Sequence, residues 1–265
     1  MVLTHARRPK IEIRGATKIY ESKAGPVHAL ESFSLDVHDG ELVALCGLSG
    51  CGKTTLLWAL SGLHALTAGE IVLDGTPVDG PRPDAVGIMF QEANLLPWRT
   101  IRGNIEYPFE IKKRAVDGEL VDALFEEVGL TGFDRSYPRE LSGGMQQRAA
   151  IARALAQNPD VLLMDEPFGA LDAFTRDEMN LLLMRLWSET SKTIVFVTHN
   201  ISEAILLSDR VVVMTPRPGR LARIFDIDLP RPRTVDMTFD PDFIELVQEI
   251  KHVVETGGRS RVEVE

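Results

Sequence analysis

The chain has 265 residues, of which 44% are hydrophobic and 26% are charged, and its formal net charge is -10. This length and composition are enough for one sizeable core, or for one core with an attached subdomain. The acidic balance argues against a nucleic-acid-binding protein, because such proteins usually carry a basic patch, and here the basic residues are interspersed with acids.

Cysteine usage and apolar runs limit the compartment and the relation to a membrane. The chain has two cysteines, Cys46 and Cys51, which lie on either side of the first glycine of a glycine-rich loop, and a bond between them would distort that loop. We therefore expect free thiols in a reducing cytosol. The first ten residues carry basic side chains without an apolar run, so no secretory signal is expected. All apolar stretches are far shorter than the ~20 residues of a spanning helix, so a membrane role is expected to need a partner.

Apolar patterns along the chain predict a parallel sheet with additional strands at the N-terminal end. Alternating residues at 11–13 and 34–37 are typical of half-buried strands, and continuous apolar runs are typical of parallel strands covered on both faces. A helix is expected from Thr54 to Leu63. Strands are expected at residues 11–13, 34–37, 41–46, 71–75, 86–91, 161–164, 193–198 and 211–214.

The remaining segments divide the chain into three parts. Residues from about 94 to 158 have a helical period and few strand signals, which predicts an inserted helical subdomain within a domain of residues 11–232. Residues 1–10 are expected to be a tail. Residues 233–265 are expected to be a C-terminal helix and tail, with one apolar face followed by a frayed end. That face consists of Phe243, Val247, Ile250 and Val254.

Residues 47–54, Gly-Leu-Ser-Gly-Cys-Gly-Lys-Thr, match the phosphate-loop pattern between a predicted strand and a predicted helix. Glycines allow backbone N–H groups to converge on phosphate oxygens, and the helix N-terminus adds partial positive charge. We expect Lys53 to reach the β- and γ-phosphates and the Thr54 hydroxyl to bind Mg²⁺. The alternative is a plain strand-to-helix turn. The predicted nucleotide-binding residues here are Gly47, Ser49, Gly50, Cys51, Gly52, Lys53, Thr54 and Thr55.

A pair of acids, Asp165 and Glu166, closes the apolar run at 161–164. After a phosphate loop, such an aspartate is expected to hold Mg²⁺, directly or through water, and the adjacent glutamate to polarise the attacking water. Two acids at a strand end can also be solvated residues that cap a turn.

Residues 141–148, Leu-Ser-Gly-Gly-Met-Gln-Gln-Arg, stand between these two motifs. The three motifs in this order resemble the ATP-binding cassette (ABC) family, over about residues 11–230. The resemblance implies an α/β fold: a P-loop NTPase (RecA-like) core with an N-terminal antiparallel β subdomain and an inserted α-helical subdomain. It also implies an ABC-type ATPase that uses ATP and Mg²⁺. The common family form has Gln where Met145 stands, and some importer subfamilies share the variant.

The resemblance assigns further residues around the nucleotide. His199 contacts the γ-phosphate and positions the water, with a structural histidine as the alternative. Gln91 senses Mg²⁺ and the water, with a surface amide as the alternative. Tyr20 stacks on adenine, with a buried or turn tyrosine as the alternative.

The resemblance also implies a second copy of the chain. Ser142, Gly143 and Gly144 begin a helix that covers the γ-phosphate bound to a partner copy, which gives two composite sites in a head-to-tail dimer. Asp172 belongs to the loop that crosses between copies in the family. Its alternative role is a helix N-cap, and both roles are compatible.

Three segments, residues 91–99, 217–220 and 229–233, look like those of the nitrate, sulfonate, taurine and bicarbonate importers. This resemblance implies a peripheral subunit at the cytoplasmic face of a membrane. Its partners are two permease subunits and, indirectly, an extracytoplasmic solute-binding protein; nucleic acid is not a partner. Residues 95–101 are expected to line the groove for a permease helix, or else to face the core. The alternatives are an export or lipid-transport ATPase and a non-transport ABC ATPase. A phosphate-loop kinase or GTPase is disfavoured by residues 142–144, and the solute is not encoded in this chain.

Overall fold

A computed structural model describes residues 9–23 and 25–257 of the chain. The described residues fall into two compact units, one built from residues up to 82 together with those from 193 onward, and one built from residues 83–192. Most of the predicted N-terminal tail, and the predicted frayed end from residue 258, lie outside the described residues. The second unit contains the segment predicted as a helical insertion, together with strands on either side of it.

Ten strands lie in the described part of the chain. In order they are β1 (Pro9–Tyr20), β2 (Val27–His38), β3 (Leu42–Cys46), β4 (Ala68–Leu73), β5 (Thr76–Pro77), β6 (Val86–Met89), β7 (Val161–Asp165), β8 (Thr193–Val197), β9 (Arg210–Met214) and β10 (Leu221–Asp226).

Seven α-helices accompany these strands in the described residues. They are α1 (Lys53–Leu60), α2 (Ile101–Ile111), α3 (Gly118–Glu127), α4 (Gly143–Leu155), α5 (Ala173–Thr190), α6 (Ile201–Leu207) and α7 (Pro241–Thr256), with short 3-10 helices at Pro138–Glu140 and Val235–Phe239.

The first unit contains the predicted antiparallel subdomain. Its four strands follow the order β2-β1-β4-β5, and all neighbouring pairs are antiparallel. Along β1 and β2 the apolar residues alternate, so that Ile11, Ile13, Phe33, Leu35 and Val37 are buried and lie on one face.

The first unit also contains the core strands in the order β10-β9-β3-β8. β3 is parallel to β8 and to β9, and β10 is antiparallel to β9. Every residue of β3 and β8 is buried, as expected for parallel strands covered on both faces. Leu45 pairs with Val197, so the loops after β3 and β8 leave the sheet at the same edge.

The second unit places two more strand ends together. β6 and β7 are parallel, and Met89 pairs with Met164. The segments that begin at Phe90 and at Asp165 therefore leave this pair at the same end. Helices α2, α3, α4 and α5 belong to the same unit, and α4 packs against α2, α3, α5 and β6.

Several element boundaries differ from the sequence-based expectations, and three of them lie close to predicted site residues. α1 ends at Leu60 rather than Leu63, because the amides of Gly62 and Leu63 turn back to the carbonyls of Ala59 and Trp58 at 3.1 and 3.0 Å. β6 ends at Met89, so Gln91 lies two residues beyond the strand. β1 runs from Pro9 to Tyr20, well beyond the strand expected at residues 11–13, and Tyr20 pairs with Val27 of β2.

The C-terminal helix α7 is present as predicted, with one change in its buried face. Phe243 and Ile250 are buried, whereas Val253 takes the buried position that was expected for Val254. α7 contacts α6, β9 and β10 of the first unit. Among the described residues, none of the helices combines the length and apolar character that crossing a bilayer requires.

Candidate functional site

The phosphate loop leaves β3 and closes tightly onto its own unit. Gly52 has a φ of +104°, and a Cβ at this position would lie 2.6 Å from the Ala29 carbonyl oxygen of β2. A larger residue would therefore meet both backbone strain and a backbone clash. Gly52 is also the N-cap of α1 and supplies no side-chain cap, and the amides of a helix N-terminus suit an anionic ligand.

Lys53 is held inside this loop and does not extend into solvent. Lys53 is only 5% exposed, and its Nζ donates to the carbonyls of Gly47 at 2.8 Å and Leu48 at 3.1 Å. A buried ammonium needs such partners, because desolvation of an unpaired charge is costly. The loop therefore fixes a positive charge beside its own backbone before any phosphate binds.

Cys46, directly before this loop, and Cys51, within it, are free thiols, as predicted. Burial raises the pKa of the Cys46 thiol from 9.0 to about 12. Burial also raises the pKa of Cys51, and the nearby Lys53 ammonium opposes that rise. Both thiols are therefore protonated at neutral pH and add no negative charge to a site suited to phosphate.

His199 follows β8 and is exposed at the same edge of the sheet. Its neighbours are fixed on both sides. The Thr198 hydroxyl donates to the buried Glu203 carboxylate and accepts from the Asn200 amide at 3.0 Å, and Asn200 caps α6 by accepting from the Glu203 amide at 3.2 Å. This network holds the backbone of His199 in one place while its ring stays accessible.

Tyr20 lies at the end of β1 and is half-buried. Its hydroxyl is 2.9 Å from Nδ1 of His64, the two rings meet edge to face, and Lys18 Nζ lies 5.0 Å from the Tyr20 ring centroid. The hydroxyl is thus anchored, and the orientation of the ring is set by His64.

In the second unit, Asp165 and Glu166 stand at the end of β7. Asp165 is 7% exposed, and Glu166 is half-buried with a φ of +44°. A non-glycine residue in this left-handed region is uncommon and is often found at functional sites. The Glu166 carbonyl accepts from the Gly169 amide at 3.2 Å, so the chain turns sharply directly after the acidic pair.

The predicted helix start at residues 142–144 is confirmed in geometry. Ser142 is the N-cap of α4 and accepts from the Met145 amide at 3.3 Å, and both Ser142 and Gly143 are exposed. Gly144 is buried, and a Cβ on it would lie 2.5 Å from Cγ2 of Thr175 on α5. One glycine therefore permits close helix packing, while the serine and the other glycine face solvent.

Asp172 takes the N-cap role that the sequence left open. Its carboxylate accepts from the Thr175 amide at 3.1 Å and from the Thr175 hydroxyl at 2.7 Å. These hydrogen bonds lower the pKa of Asp172, so it is ionised near neutral pH and suits the positive end of α5. Thr175 therefore contacts both the cap of α5 and Gly144 of α4.

Comparisons with known proteins agree on one family. The ABC transporter family model matches residues 30–169, which is more than half of the chain. An uncharacterised ABC transporter ATP-binding protein, MJ0412, of Methanocaldococcus jannaschii is 45% identical, over 92% of this chain and 91% of that protein. The chain belongs to the ABC transporter family.

Two relatives with named solutes resemble the chain over nearly its whole length. The aliphatic sulfonates import ATP-binding protein SsuB of Bacillus cereus is 41% identical, over 94% of this chain and 97% of that one. The taurine import ATP-binding protein TauB of Rhizobium johnstonii is 43% identical, over 92% and 96% of the two chains. The sequence-based prediction of an ABC ATPase subunit similar to these importers is confirmed.

Solved structures support the same fold. The ATP-binding cassette MJ0796, in a dimeric post-hydrolysis state bound to ADP and Pi, superimposes with a TM-score of 0.74 at 33% identity, over 83% of this chain and all of that one. CbiO1 of Clostridium perfringens matches with a TM-score of 0.74 at 24% identity, over 94% and 97% of the two chains, which supports the fold alone. The chain is an ATP-binding ABC ATPase, and its predicted fold class is confirmed.

The predicted site residues of this ABC ATPase are divided between the two units. The phosphate-loop residues, Tyr20 and His199 lie in the first unit, and Gln91, residues 142–144, the acidic pair and Asp172 lie in the second. Within the second unit, Gln91 and Gly143 line the same cavity of about 630 Å³, together with Gln147 and Leu171. The individual roles assigned to these residues remain predictions.

Two residues of α4 that the sequence did not single out hold the segment after Gln91. Gln147 Nε2 donates to the Gln91 carbonyl at 3.0 Å, and the Arg153 guanidinium donates to the carbonyls of Ala93 and Asn94, both at 2.7 Å. Burial lowers the pKa of Arg153. In the sequence, Gln147 stands next to the apolar part of α4, which weakly indicates a buried polar contact. The sequence does not indicate which residue Gln147 contacts.

Proposed function

We propose that this ABC ATPase powers uptake of a small anion of the sulfonate, taurine or nitrate class through a separate permease. The observation that carries the proposal is the likeness to SsuB and TauB over more than nine-tenths of the chain, at 41% and 43% identity. Those proteins are named for import of aliphatic sulfonates and taurine. We expect the chain to act as a peripheral subunit at the cytoplasmic face of the membrane.

The phosphate loop supplies most of the binding energy for ATP in this proposal. Its amides and the open N-terminus of α1 bind phosphate oxygens, and Lys53 turns from its loop carbonyls to the β- and γ-phosphates. Tyr20 supports the adenine through its ring. The preformed cradle around Gly52 supports this assignment, because a loop that is fixed beforehand loses little entropy on binding.

We further propose that Mg²⁺ binds together with the nucleotide. Mg²⁺ in nucleotide sites is usually held by one or two protein oxygens together with phosphates and water. Thr54 offers a hydroxyl in the first turn of α1, Asp165 a largely buried carboxylate at the end of β7, and Gln91 an amide oxygen. A bound ion would neutralise charge on the phosphates.

Glu166 is the proposed general base for hydrolysis, with His199 and Gln91 positioning the water. Catalysis of phosphoryl transfer is mainly positioning and electrostatics, so a carboxylate that orients water contributes without a covalent step. The left-handed backbone at Glu166 supports a fixed carboxylate direction.

We propose that two copies of the chain close over ATP. Ser142 and Gly143 are exposed at the N-terminus of α4, where amides suit an anion, and their place in the sequence matches the family motif that covers a partner's nucleotide. The solved MJ0796 cassette is dimeric, which is a statement about that protein and supports the same assembly here. Asp172 is assigned to the seam between copies.

A groove in the second unit is the proposed seat of a permease helix. It has a volume of about 360 Å³ and is lined mainly by apolar and aromatic side chains, among them Val86, Phe90, Leu96, Tyr107 and Ile111. Ile111, at the end of α2, is 64% exposed, and Trp98, in the loop before α2, is 71% exposed. Exposed aromatic and aliphatic residues beside a polar surface are typical of partner sites.

Asn104 gives this loop a fixed shape. It is fully buried, accepts from the Leu96 amide at 2.6 Å and donates to the carbonyls of Leu96 and Thr100 at 3.2 and 2.9 Å. A loop held in this way can present Trp98 to a partner at little entropic cost.

The test is reconstitution with the permease and binding protein encoded beside this chain in its genome. We expect ATP-dependent uptake of taurine, alkanesulfonate or nitrate into vesicles, and loss of both uptake and permease co-purification for Trp98→Glu, with the ATPase rate of the isolated chain unchanged. Leu221→Glu, at a partly exposed residue of the first unit, is the matched control and should retain uptake. Outward transport, or a ribosomal or DNA partner in place of a permease, would contradict the proposal.

A further inference from the structure

The turn that joins β9 to β10 has no role in the function proposed above. It spans residues 215–220, Thr-Pro-Arg-Pro-Gly-Arg, and fixes its own shape. The Thr215 hydroxyl donates to the Pro218 carbonyl at 2.9 Å and accepts from the Arg220 amide at 3.0 Å, and the Thr215 amide donates to the Arg220 carbonyl at 2.9 Å. Such a network leaves the turn little freedom to adjust to its neighbours.

This turn is joined to β2 by backbone hydrogen bonds. The Gly219 amide donates to the Ala29 carbonyl and the Glu31 amide donates to the Gly219 carbonyl, both at 3.0 Å. The Ala29 carbonyl is the same group that lies 2.6 Å from a Cβ built on Gly52. The turn, β2 and the phosphate loop therefore meet around one backbone carbonyl, and all three belong to the first unit.

The turn also touches the phosphate loop itself, at two consecutive residues. A Cβ built on Gly219 would lie 2.1 Å from the Cys51 carbonyl oxygen, so only glycine permits this approach. Arg217 Nε donates to the Gly50 carbonyl at 3.3 Å, and its Nη2 lies 3.3 Å from a Cβ built on Gly50. A rigid turn thus packs directly against the segment expected to wrap phosphate.

We propose that Arg217 is a positioning residue for nucleotide binding, which acts by holding the Gly50 carbonyl of the phosphate loop through the hydrogen bond from its Nε. A loop that binds phosphate must turn amides toward the ligand and keep carbonyl oxygens away from it, because oxygen dipoles repel the anion. A guanidinium that engages the Gly50 carbonyl stabilises that orientation and adds positive charge near the phosphates. The inference rests on ATP binding by this chain and not on its permease or solute.

The test compares three variants of the isolated chain by the KM for ATP, kcat and the ATP-induced rise in melting temperature. We expect Arg217→Ala to raise KM about fivefold with kcat changed less than about twofold, because fivefold is the scale of one typical net hydrogen bond at an exposed site. Arg217→Lys should recover only part of this loss, because an ammonium lacks the planar fork of the guanidinium.

Arg220→Ala is the matched control. Arg220 lies in the same turn and is similarly exposed, but its guanidinium pairs with Glu31 at 2.8 Å on β2. We expect a parental KM from this variant, and the same melting temperature without ATP for all three variants. A merely structural role of Arg217 would lower that melting temperature and leave KM unchanged.

Gly219→Ala tests the same contact between the turn and the phosphate loop without changing Arg217, because its methyl group would push against the Cys51 carbonyl. It should weaken ATP binding more than Arg217→Ala does, whereas Gly80→Ala, where a Cβ meets nothing within 4 Å, should not. A parental KM for Arg217→Ala, or equal effects of Arg217→Ala and Arg220→Ala, would overturn the inference. A parental chain that hydrolyses ATP but transports nothing would contradict the proposed uptake function alone.

Discussion

The phosphate loop and the start of α4 are both glycine-rich helix N-termini suited to anions, yet the structure builds them differently. In the first, Lys53 is buried against its own loop and Gly52 is pressed against β2. In the second, Ser142 and Gly143 are exposed, and only Gly144 is packed against a neighbouring helix. The comparison supports the proposal that the phosphate loop binds nucleotide within one chain, whereas the exposed start of α4 is available to a nucleotide bound by a second copy.

Removing Lys53 should produce the largest effect. Lys53→Ala deletes the fixed positive charge of the cradle, so ATP binding by the isolated chain should weaken strongly and hydrolysis should fall by at least about 100-fold. Ser142→Ala should leave ATP binding by the isolated chain unchanged and lower only hydrolysis. Equilibrium ATP binding and phosphate release should be measured on both variants. An equal loss of ATP binding in the two variants would contradict the difference drawn between the two helix N-termini.

Glu166→Gln should separate binding from chemistry. The amide keeps the shape of the side chain but cannot accept a proton from water, so turnover should fall by about 100-fold or more while ATP binding survives. We expect an ATP-bound dimer to accumulate, visible by light scattering after gel filtration. Glu245→Gln, at an exposed position of α7, is the control. Parental turnover in Glu166→Gln would remove this residue from its proposed role.

The two glycines at the start of α4 offer a sharper test on neighbouring residues. Gly144→Ala places a methyl group 2.5 Å from Thr175 Cγ2, and such overpacking should cost about 1–3 kcal/mol of unfolding free energy. Gly143→Ala meets only Leu171 Cδ2, at 3.8 Å, and should change stability by less than about 1 kcal/mol. Chemical denaturation measures both. If Gly143→Ala still lowers hydrolysis, its effect arises at the ligand-facing surface.

The last prediction concerns the pH dependence of stability and the buried Cys46 thiol at the end of β3. Burial raises the pKa of Cys46 from 9.0 to about 12, so the folded chain keeps this thiol protonated where the unfolded chain ionises it. Stability from this group is complete below pH 9 and is lost as pH rises toward 12, by at most about 1.4 kcal/mol per pH unit. Melting temperatures at pH 7 to 10.5 should show the gap between the parent and Cys46→Ala closing; a constant gap would contradict this.

The sequence was sufficient for the family, the fold class and the local form of each motif. The glycine spacing before Lys53, the acids after an apolar strand and the serine before two glycines each depend on short-range chemistry, which a single sequence carries. The N-cap geometry of Ser142 and Asp172 was predictable for the same reason.

Contacts between distant segments could not be predicted from the sequence. Gly219 meets Cys51, and Gln147 meets the Gln91 carbonyl, and neither pair leaves a periodic or spacing signal in the chain. The ends of strands and helices also differ from the predicted ones. For example, β1 continues to Tyr20 because this residue pairs with Val27. Tertiary packing decided these features, and it outweighs local preference.

The most direct test of the account is complementation between two inactive variants. Lys53→Ala has a defective phosphate loop, called the cradle here, and Ser142→Arg has a blocked start of α4, called the cap here. If one copy's cradle works with the other copy's cap, each mixed dimer has one site with both parts intact, and an equimolar mixture should recover up to about a quarter of the parental ATPase rate. Each variant alone should stay inactive. A mixture as inactive as its components would contradict the claim that ATP is hydrolysed between two copies of this chain.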